Sequence, residues 1–259
     1  GSVAGMGCDV ALDPAGQPQI AYTHTESMMA DDDGSVYIAR LDGSDWVVEE
    51  VGTAYPASVV QLAIGSAGRR ALLLEDSNVH DFHLLWDGDG GDFDNDQVVE
   101  AGDYDNVIPS LAFCNGADNP AGELDTAVVV YAMSTGWPNI KVRYLRFDGG
   151  PALNGDVIAS TREVGAIDLY TDANLKARIA LPIAPLHPAW DLRFGEYNAA
   201  ANTWGFGTPP DWLTVDVGGD TGEQIVRAVQ TGGSEFAAAY MLENASGLRC
   251  GLASSGPFG

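Results

Sequence analysis

Two carboxylates, Asp9 and Asp168, occupy matching positions in separate copies of a repeated segment. Glycoside hydrolysis needs two carboxyl groups flanking a sugar bond at a set separation, so this pair is a candidate acid and nucleophile. Solvated structural carboxylates are the plain alternative. Three of the four histidines, His24, His80 and His187, fall in corresponding loops between second and third strands. With Glu26 and Asp76 nearby, imidazoles so placed could bind a transition metal or move protons. Joined by Tyr170 and Arg227 they make a lyase-type set. Trp137, Asn139, Trp190, Asn244 and Gln61 offer the aromatic faces and amides that hold a polar ligand such as a sugar. The run from Asp87 to Asp96 places Asp87, Asp89, Asp92, Asp94 and Asp96 on a glycine-bent loop. Hard oxygen ligands of this kind suit Ca²⁺, although the spacing departs from an EF-hand, and a plain acidic hairpin loop has the same composition.

Several chemistries are excluded. The chain has no H-E-x-x-H, no G-x-S-x-G elbow, no Walker A loop and no dinucleotide fingerprint in a strand-turn-helix setting. Cys8, Cys114 and Cys250 lack C-x-x-C spacing, which argues against a zinc ribbon or a redox pair. Twelve Lys and Arg against 37 Asp and Glu give a net charge of -25, and Lys141 and Lys176 are the two lysines. Such a surface repels phosphate backbones and anionic lipid, so no nucleic-acid or membrane-inserted partner is expected. The apolar runs fall well short of the roughly 18 residues of a membrane-spanning helix. No leader is visible from Gly1 onward, and an extracellular or cell-surface setting is the expectation.

The elements that must position these residues come from a repeat. One template recurs at roughly fifty residues: an apolar strand, a glycine turn, a second strand, a polar loop, a third strand ending in Asp-Gly, and a fourth strand. The first copy reads CDVALDPAGQPQIAYTH from Cys8 and GSVYIARLDGSDWVVEEVG from Gly34. The second reads VVQLAIGSAGRRALLLED from Val59 and DFHLLWDG from Asp81. Segments of five to eight residues rich in Val, Ile, Leu, Ala and Tyr between Gly and Asp turns are strands, and no helical period is sustained. The repeats divide the chain at residues 8–54, 58–104, 107–165, 166–218 and 223–259. Entries to the first strands align Asp9, Gln61, Ser110, Asp168 and Arg227. His83 falls inside a third strand and reads as structural.

A four-stranded unit cannot bury both faces alone, so the copies must pack face to face. The expected fold is all-β: a single five-bladed β-propeller of four-stranded antiparallel blades. The fifth copy lacks a fourth strand, leaving the last blade incomplete or closed by residues 1–6. In the closed case Cys8 and Cys250 come within bridging reach.

The segments ALDPAGQPQIAY and VYIARLDGSDWVVEEV resemble the repeats of bacterial sialidase-like, or BNR-like, propellers, over most of the chain. That resemblance implies a blade. It does not carry sialidase activity, because the F/Y-R-I-P motif, the arginine triad and complete S-x-D-x-G-x-x-W boxes are missing; Gly43-Ser44-Asp45-Trp46 is a fragment of one. By fold analogy the candidates above gather at a channel mouth. The expected role is a binding module for a carbohydrate or other polar ligand. A polysaccharide-acting glycosidase or lyase, and a surface-assembly protein using its blade edges, are the alternatives.

Overall fold

Short apolar runs ended by glycine and aspartate become strands throughout the chain, as expected from their composition. The computed structural model describes residues 3–25, 34–79, 81–87, 92–100, 109–115, 124–134, 140–147, 153–154, 158–160, 163–164, 167–171, 177–186, 189–198, 203–206, 212–215, 225–232, 235–244 and 247–254. The strands form five sheets. The first holds β1 (Val3–Leu12), β2 (Pro18–Thr25), β3 (Ser35–Asp42) and β4 (Asp45–Val51), and the second β5 (Ala57–Ile64), β6 (Arg70–Asp76), β7 (Phe82–Trp86) and β8 (Asn95–Glu100). Both are antiparallel meanders in chain order.

The third sheet has β9 (Ser110–Asn115), β10 (Leu124–Ser134), β11 (Ile140–Phe147), β12 (Leu153–Asn154) and β13 (Ile158–Ser160). The fourth has β14 (Glu163–Val164), β15 (Asp168–Thr171), β16 (Ala177–Leu186), β17 (Ala189–Asn198), β18 (Thr203–Phe206) and β19 (Trp212–Val215), and the fifth β20 (Ile225–Gly232), β21 (Glu235–Asn244) and β22 (Gly247–Ser254). The chain falls into two units, Gly1–Asp105 with Glu123–Ala127, and Asn106–Gly122 with Val128–Gly259.

The repeat is visible down to single hydrogen bonds. In the first sheet Gly16 N–H donates to the Asp13 carbonyl at 2.8 Å and Asp13 N–H to the Gln17 carbonyl at 2.9 Å. In the second, Gly68 and Gly65 repeat both bonds, to Gly65 and Arg69, at 2.9 and 2.8 Å. Gly16 and Gly68 sit at φ 77° and 83°, a region that costs an L side chain strain, which explains the A-G pair in both turns. The register agrees as well: Asp9 faces Ala21, Gln61 faces Leu73, Asp168 faces Ala180 and Arg227 faces Ala239. Four of the five aligned first-strand positions are thus equivalent by pairing.

That position has a physical job. The Asp9 carboxylate accepts the backbone N–H of Leu62 on the next sheet at 2.8 Å. In the other unit the Ser110 hydroxyl accepts the N–H of Leu169 at 2.9 Å, again one residue past the aligned position of the following sheet. Thr171 adds a hydroxyl donated to the Phe113 carbonyl at 2.7 Å. These side chains fasten the first strand of one sheet to the first strand of the next, pairing polar groups that would otherwise be buried at a cost.

Between the first two sheets lies an apolar core of Ala21, Val36, Ile38 and Val51 against Ala57, Leu62, Leu72, Leu74 and Leu85. Each fully buried leucine contributes roughly 2 kcal/mol. The first sheet alternates along its strands, as in β3, while β6 is buried at nearly every position. This difference is why ARLDG reads as amphipathic and ALLL as continuously apolar.

Three expectations are corrected. The segment expected to close the fifth sheet extends β1 instead: Val3 pairs with Thr25 and Ala4 with His24, because the strand continues past an irregularity before Cys8. The fifth sheet has three strands among the described residues. Cys8 is an exposed free thiol, so the bridge to Cys250 is not formed. The boundary at residue 165 also shifts, since Glu163 and Val164 pair with β16 of the fourth sheet.

Replacing Asp9 by Ala is expected to lower stability by about 1–2 kcal/mol, through loss of an acceptor to a part-buried N–H. Asp9→Asn, which keeps an oxygen, should recover most of it. Thermal unfolding of the two variants checks this, and an unchanged Tm in Asp9→Ala would contradict the fastening role.

Candidate functional site

The register places Arg70, Leu72, Leu74 and Asp76 on the face of β6 turned toward the first sheet, with His83 and Leu85 beside them on β7. The apolar core therefore ends in polar groups, which meet in two clusters. In the first, Arg70 is almost wholly buried. Its Nε lies 3.1 Å from Asp87 Oδ2, its backbone N–H donates to Asp87 Oδ1 at 2.7 Å, and its Nη1 lies 3.0 Å from Glu49 Oε1 on β4 of the first sheet. The guanidinium carbon stands 4.7 Å from the centre of the Phe93 ring. A buried charge is tolerable only when paired and hydrogen-bonded, and here two carboxylates and a π face do the pairing. On the face shared with Glu49, the register also puts Gln19 in line with Arg40 and Val47. The Gln19 Oε1 atom is buried with no hydrogen-bond partner among the described residues.

The second cluster joins the loop after β4 to β7 and β8. His83 Nδ1 lies 2.8 Å from Asp96 Oδ1. The Tyr55 ring lies over the imidazole at 4.2 Å between centroids, tilted 36°. The Tyr55 hydroxyl is buried without a hydrogen-bond partner among the described residues. Burial, and then the negative charge of Asp96, push its ionisation well above the usual tyrosine range.

The sequence candidates distribute unevenly over this framework. Asp9 is engaged with Leu62 N–H, and Asp168 is buried at the start of β15 opposite Ala180. Tyr170, on β15, is half-buried and faces Arg178. His24 was expected in a loop but lies within β2, between Ala4 and Ser35, with its ring edge-on to Tyr37 at 6.1 Å. The strand simply runs on, because Thr23 and His24 keep partners on β3. Gln61 lies on β5 and is half-buried. Arg227, Trp190 and Asn244 lie on β20, β17 and β21, opposite Ala239, Val215 and Gly247. His80, His187, Trp137, Asn139 and Asp89 lie outside the described residues.

The proposed calcium ligands do not converge where they are described. Asp87 turns to Arg70, Asp96 to His83, and Asp94 accepts from Asn95 Nδ2 at 2.8 Å, while Asp92 is exposed. Among the described residues no group of three His, Cys, Asp or Glu side chains is placed to hold a metal. Reading by loop composition missed Arg70, Glu49 and Tyr55. The available signal was Arg70 itself, a charge at the head of the apolar run ALLL, which burial obliges to find a partner.

No protein-family model matches the chain, and no curated protein matches it. Solved structures do. A Dyadobacter fermentans protein of unknown function is 12% identical with a TM-score of 0.59, covering 97% of this chain and 79% of that one. AofleA from Arthrobotrys oligospora is 12% identical with a TM-score of 0.59, covering 96% and 70%. Aleuria aurantia lectin, in a complex with Fucα1-6GlcNAc, is 10% identical with a TM-score of 0.55, covering 95% and 78%. That lectin is a six-bladed β-propeller, and a second structure of it gives a TM-score of 0.50. At these identities the similarity speaks to fold alone, and the fold is a β-propeller.

Two predictions follow from the clusters. Arg70→Met should cost about 3 kcal/mol, because it strands the buried Asp87 carboxylate. The double variant Arg70→Met with Asp87→Leu should recover part of that loss; equal destabilisation in both would contradict the pairing. Tyr55 ionises above its ordinary value of 10.0 in the folded chain, so the unfolded chain releases that proton first. Its contribution is therefore intact below pH 10 and is lost as pH rises beyond. Urea unfolding in this alkaline range should show a steeper loss of stability for the parent than for Tyr55→Phe; parallel curves would refute it.

Proposed function

We propose that this chain is a carbohydrate-binding β-propeller module, secreted or displayed at a cell surface, with its five sheets as five blades. The observation that carries the reading is the fold it shares with Aleuria aurantia lectin, a protein whose complex with Fucα1-6GlcNAc is known. The chemistry at the junction of the first two sheets supports it. Glu49, held in place by the buried Arg70, offers a partly exposed acceptor, and the half-buried Phe93 ring lies at the same junction. Sugars are held by that combination, with hydroxyls bridging charged groups and the C–H face lying on a ring. Glu49, about a third exposed, forms the accessible lip of this cluster. Trp137, Asn139, Trp190, Asn244 and Gln61 are proposed as further contacts, with Ca²⁺ as a proposed aid to binding.

A glycan array followed by calorimetry tests the proposal, beginning with fucosylated ligands and run with and without Ca²⁺. Binding is expected, and Glu49→Gln should weaken it about tenfold, one charge-assisted hydrogen bond, while the folded chain, with Arg70 still paired to Asp87, persists at a Tm lowered by a few degrees. Absence of binding to every glycan in both conditions sinks the reading. Equal affinity in the Glu49→Gln variant moves the site away from the sheet junction.

A further inference from the structure

Gln19 stands on the same face of β2 as Ala21, the face turned toward the second sheet, and its neighbour on β1, Ala11, packs against the apolar core. It is 9% exposed, and its Oε1 atom has no hydrogen-bond partner among the described residues. A buried amide oxygen so placed has given up water without a return, a cost that folded chains rarely bear. Directly opposite, with Cβ atoms about 5 Å apart across the strand pair, stands Arg40. Its side chain is exposed and forms neither an ion pair nor a hydrogen bond among the described residues. Arg70 is the reverse case, buried and held by two carboxylates and a ring. Carboxylates are not scarce in a chain with 37 of them against 12 Lys and Arg, and Glu49 lies on the diagonal from Arg40, about 7 Å off on β4. Its carboxylate is about a third exposed and reaches the other way, to Arg70.

We propose that Gln19, Arg40 and Glu49 form a subsite for two adjacent hydroxyls of a neutral sugar, an assignment that rests on the carbohydrate-binding reading above. The orphaned atom decides the class of ligand. Gln19 Oε1 accepts, so it calls for an O–H or N–H donor, which a ligand carboxylate or sulfate lacks. One hydroxyl donates to Gln19 Oε1 and still accepts from the Arg40 guanidinium, and the hydroxyl beside it donates to Glu49. Charge points the same way. The β3–β4 register sets Asp42 and Asp45 on this face beyond Arg40, adding a negative field that opposes an anionic sugar and leaves a neutral one unaffected. The three side chains come from three neighbouring strands of one sheet, so the strand pairing holds them in place before any ligand arrives.

Calorimetric titration of the full chain tests this with neutral probes, Fucα1-6GlcNAc and the methyl glycosides of fucose, galactose, mannose and glucose, and with methyl glucuronide as the acidic one. The glucuronide is expected to bind at least about tenfold more weakly than the tightest neutral probe. Gln19→Met and Arg40→Ala should each weaken that probe about tenfold, the loss of one hydrogen bond. Stability separates this role from a structural one. Gln19→Met removes an orphaned acceptor, so its Tm should hold or rise, and Arg40→Ala should shift the Tm by less than about 1 °C. No neutral probe binding more tightly than the glucuronide, either variant binding like the parent, or a Tm lowered by several degrees in Gln19→Met overturns the proposal. Glycan binding on the array with variants that match the parent removes this subsite alone, whereas a parent that binds no glycan removes the carbohydrate reading with it.

Discussion

A β-sheet with two apolar faces must find two neighbours, and much of this chain's architecture answers that demand. The second sheet states it most plainly: β6 is buried at nearly every position, so neither of its faces can be left to water. Stacking against the first sheet satisfies one face with branched side chains and small residues. It also creates difficulties, because strands carry polar backbone and the repeat carries charges into the same space. The first-strand acceptors and the Arg70 and Tyr55 clusters are the local solutions. They stand around the apolar core, and each links residues from different sheets or from different strands of one sheet.

The two clusters solve the charge problem differently. Arg70 is held by opposite charges and by a ring, so its burial is compensated in full by fixed partners. Tyr55 is kept neutral by the same kind of environment, with Asp96 near enough to oppose its ionisation. One environment favours a cation and the other forbids an anion, and both results follow from carboxylates gathered at a low-dielectric junction. The acidic composition therefore reaches into the sheet interface and is not confined to the solvated surface.

Much of this fold was legible in the residues. The ALDPAGQ and AIGSAGR turns matched in spacing because both need a left-handed glycine, and ARLDG marked the two-residue turn before β4. The aligned position of Asp9, Gln61, Asp168 and Arg227 survived because pairing register repeats with the template. Less of the site was legible. Arg70 and Asp87 meet through the register of β6 with β7, but Glu49 comes from the first sheet, and only stacking of the sheets brings its charge to theirs. Asp9 looked like a catalytic carboxylate because its type permits it; which backbone N–H it faces is a property of the neighbouring sheet. His24 looked like a loop residue because the polar stretch beginning at Glu26 follows it so closely, yet pairing on both sides holds it in β2.

The aligned first-strand position also separates structural from functional expectation. Asp9 and Ser110 act there as acceptors for a backbone N–H, and a carboxylate, an amide oxygen or a hydroxyl can each do that work. Asp168 and Gln61 carry such atoms. Arg227 does not: a guanidinium has five donors and no acceptor, so the acceptor role of Asp9 and Ser110 is closed to it. Where a repeat keeps its register but gives up the chemistry that the register serves, the departure has a reason outside the repeat. Among the five aligned residues, Arg227 is that departure: it keeps the pairing register of the template, opposite Ala239, without an atom that could serve as its acceptor.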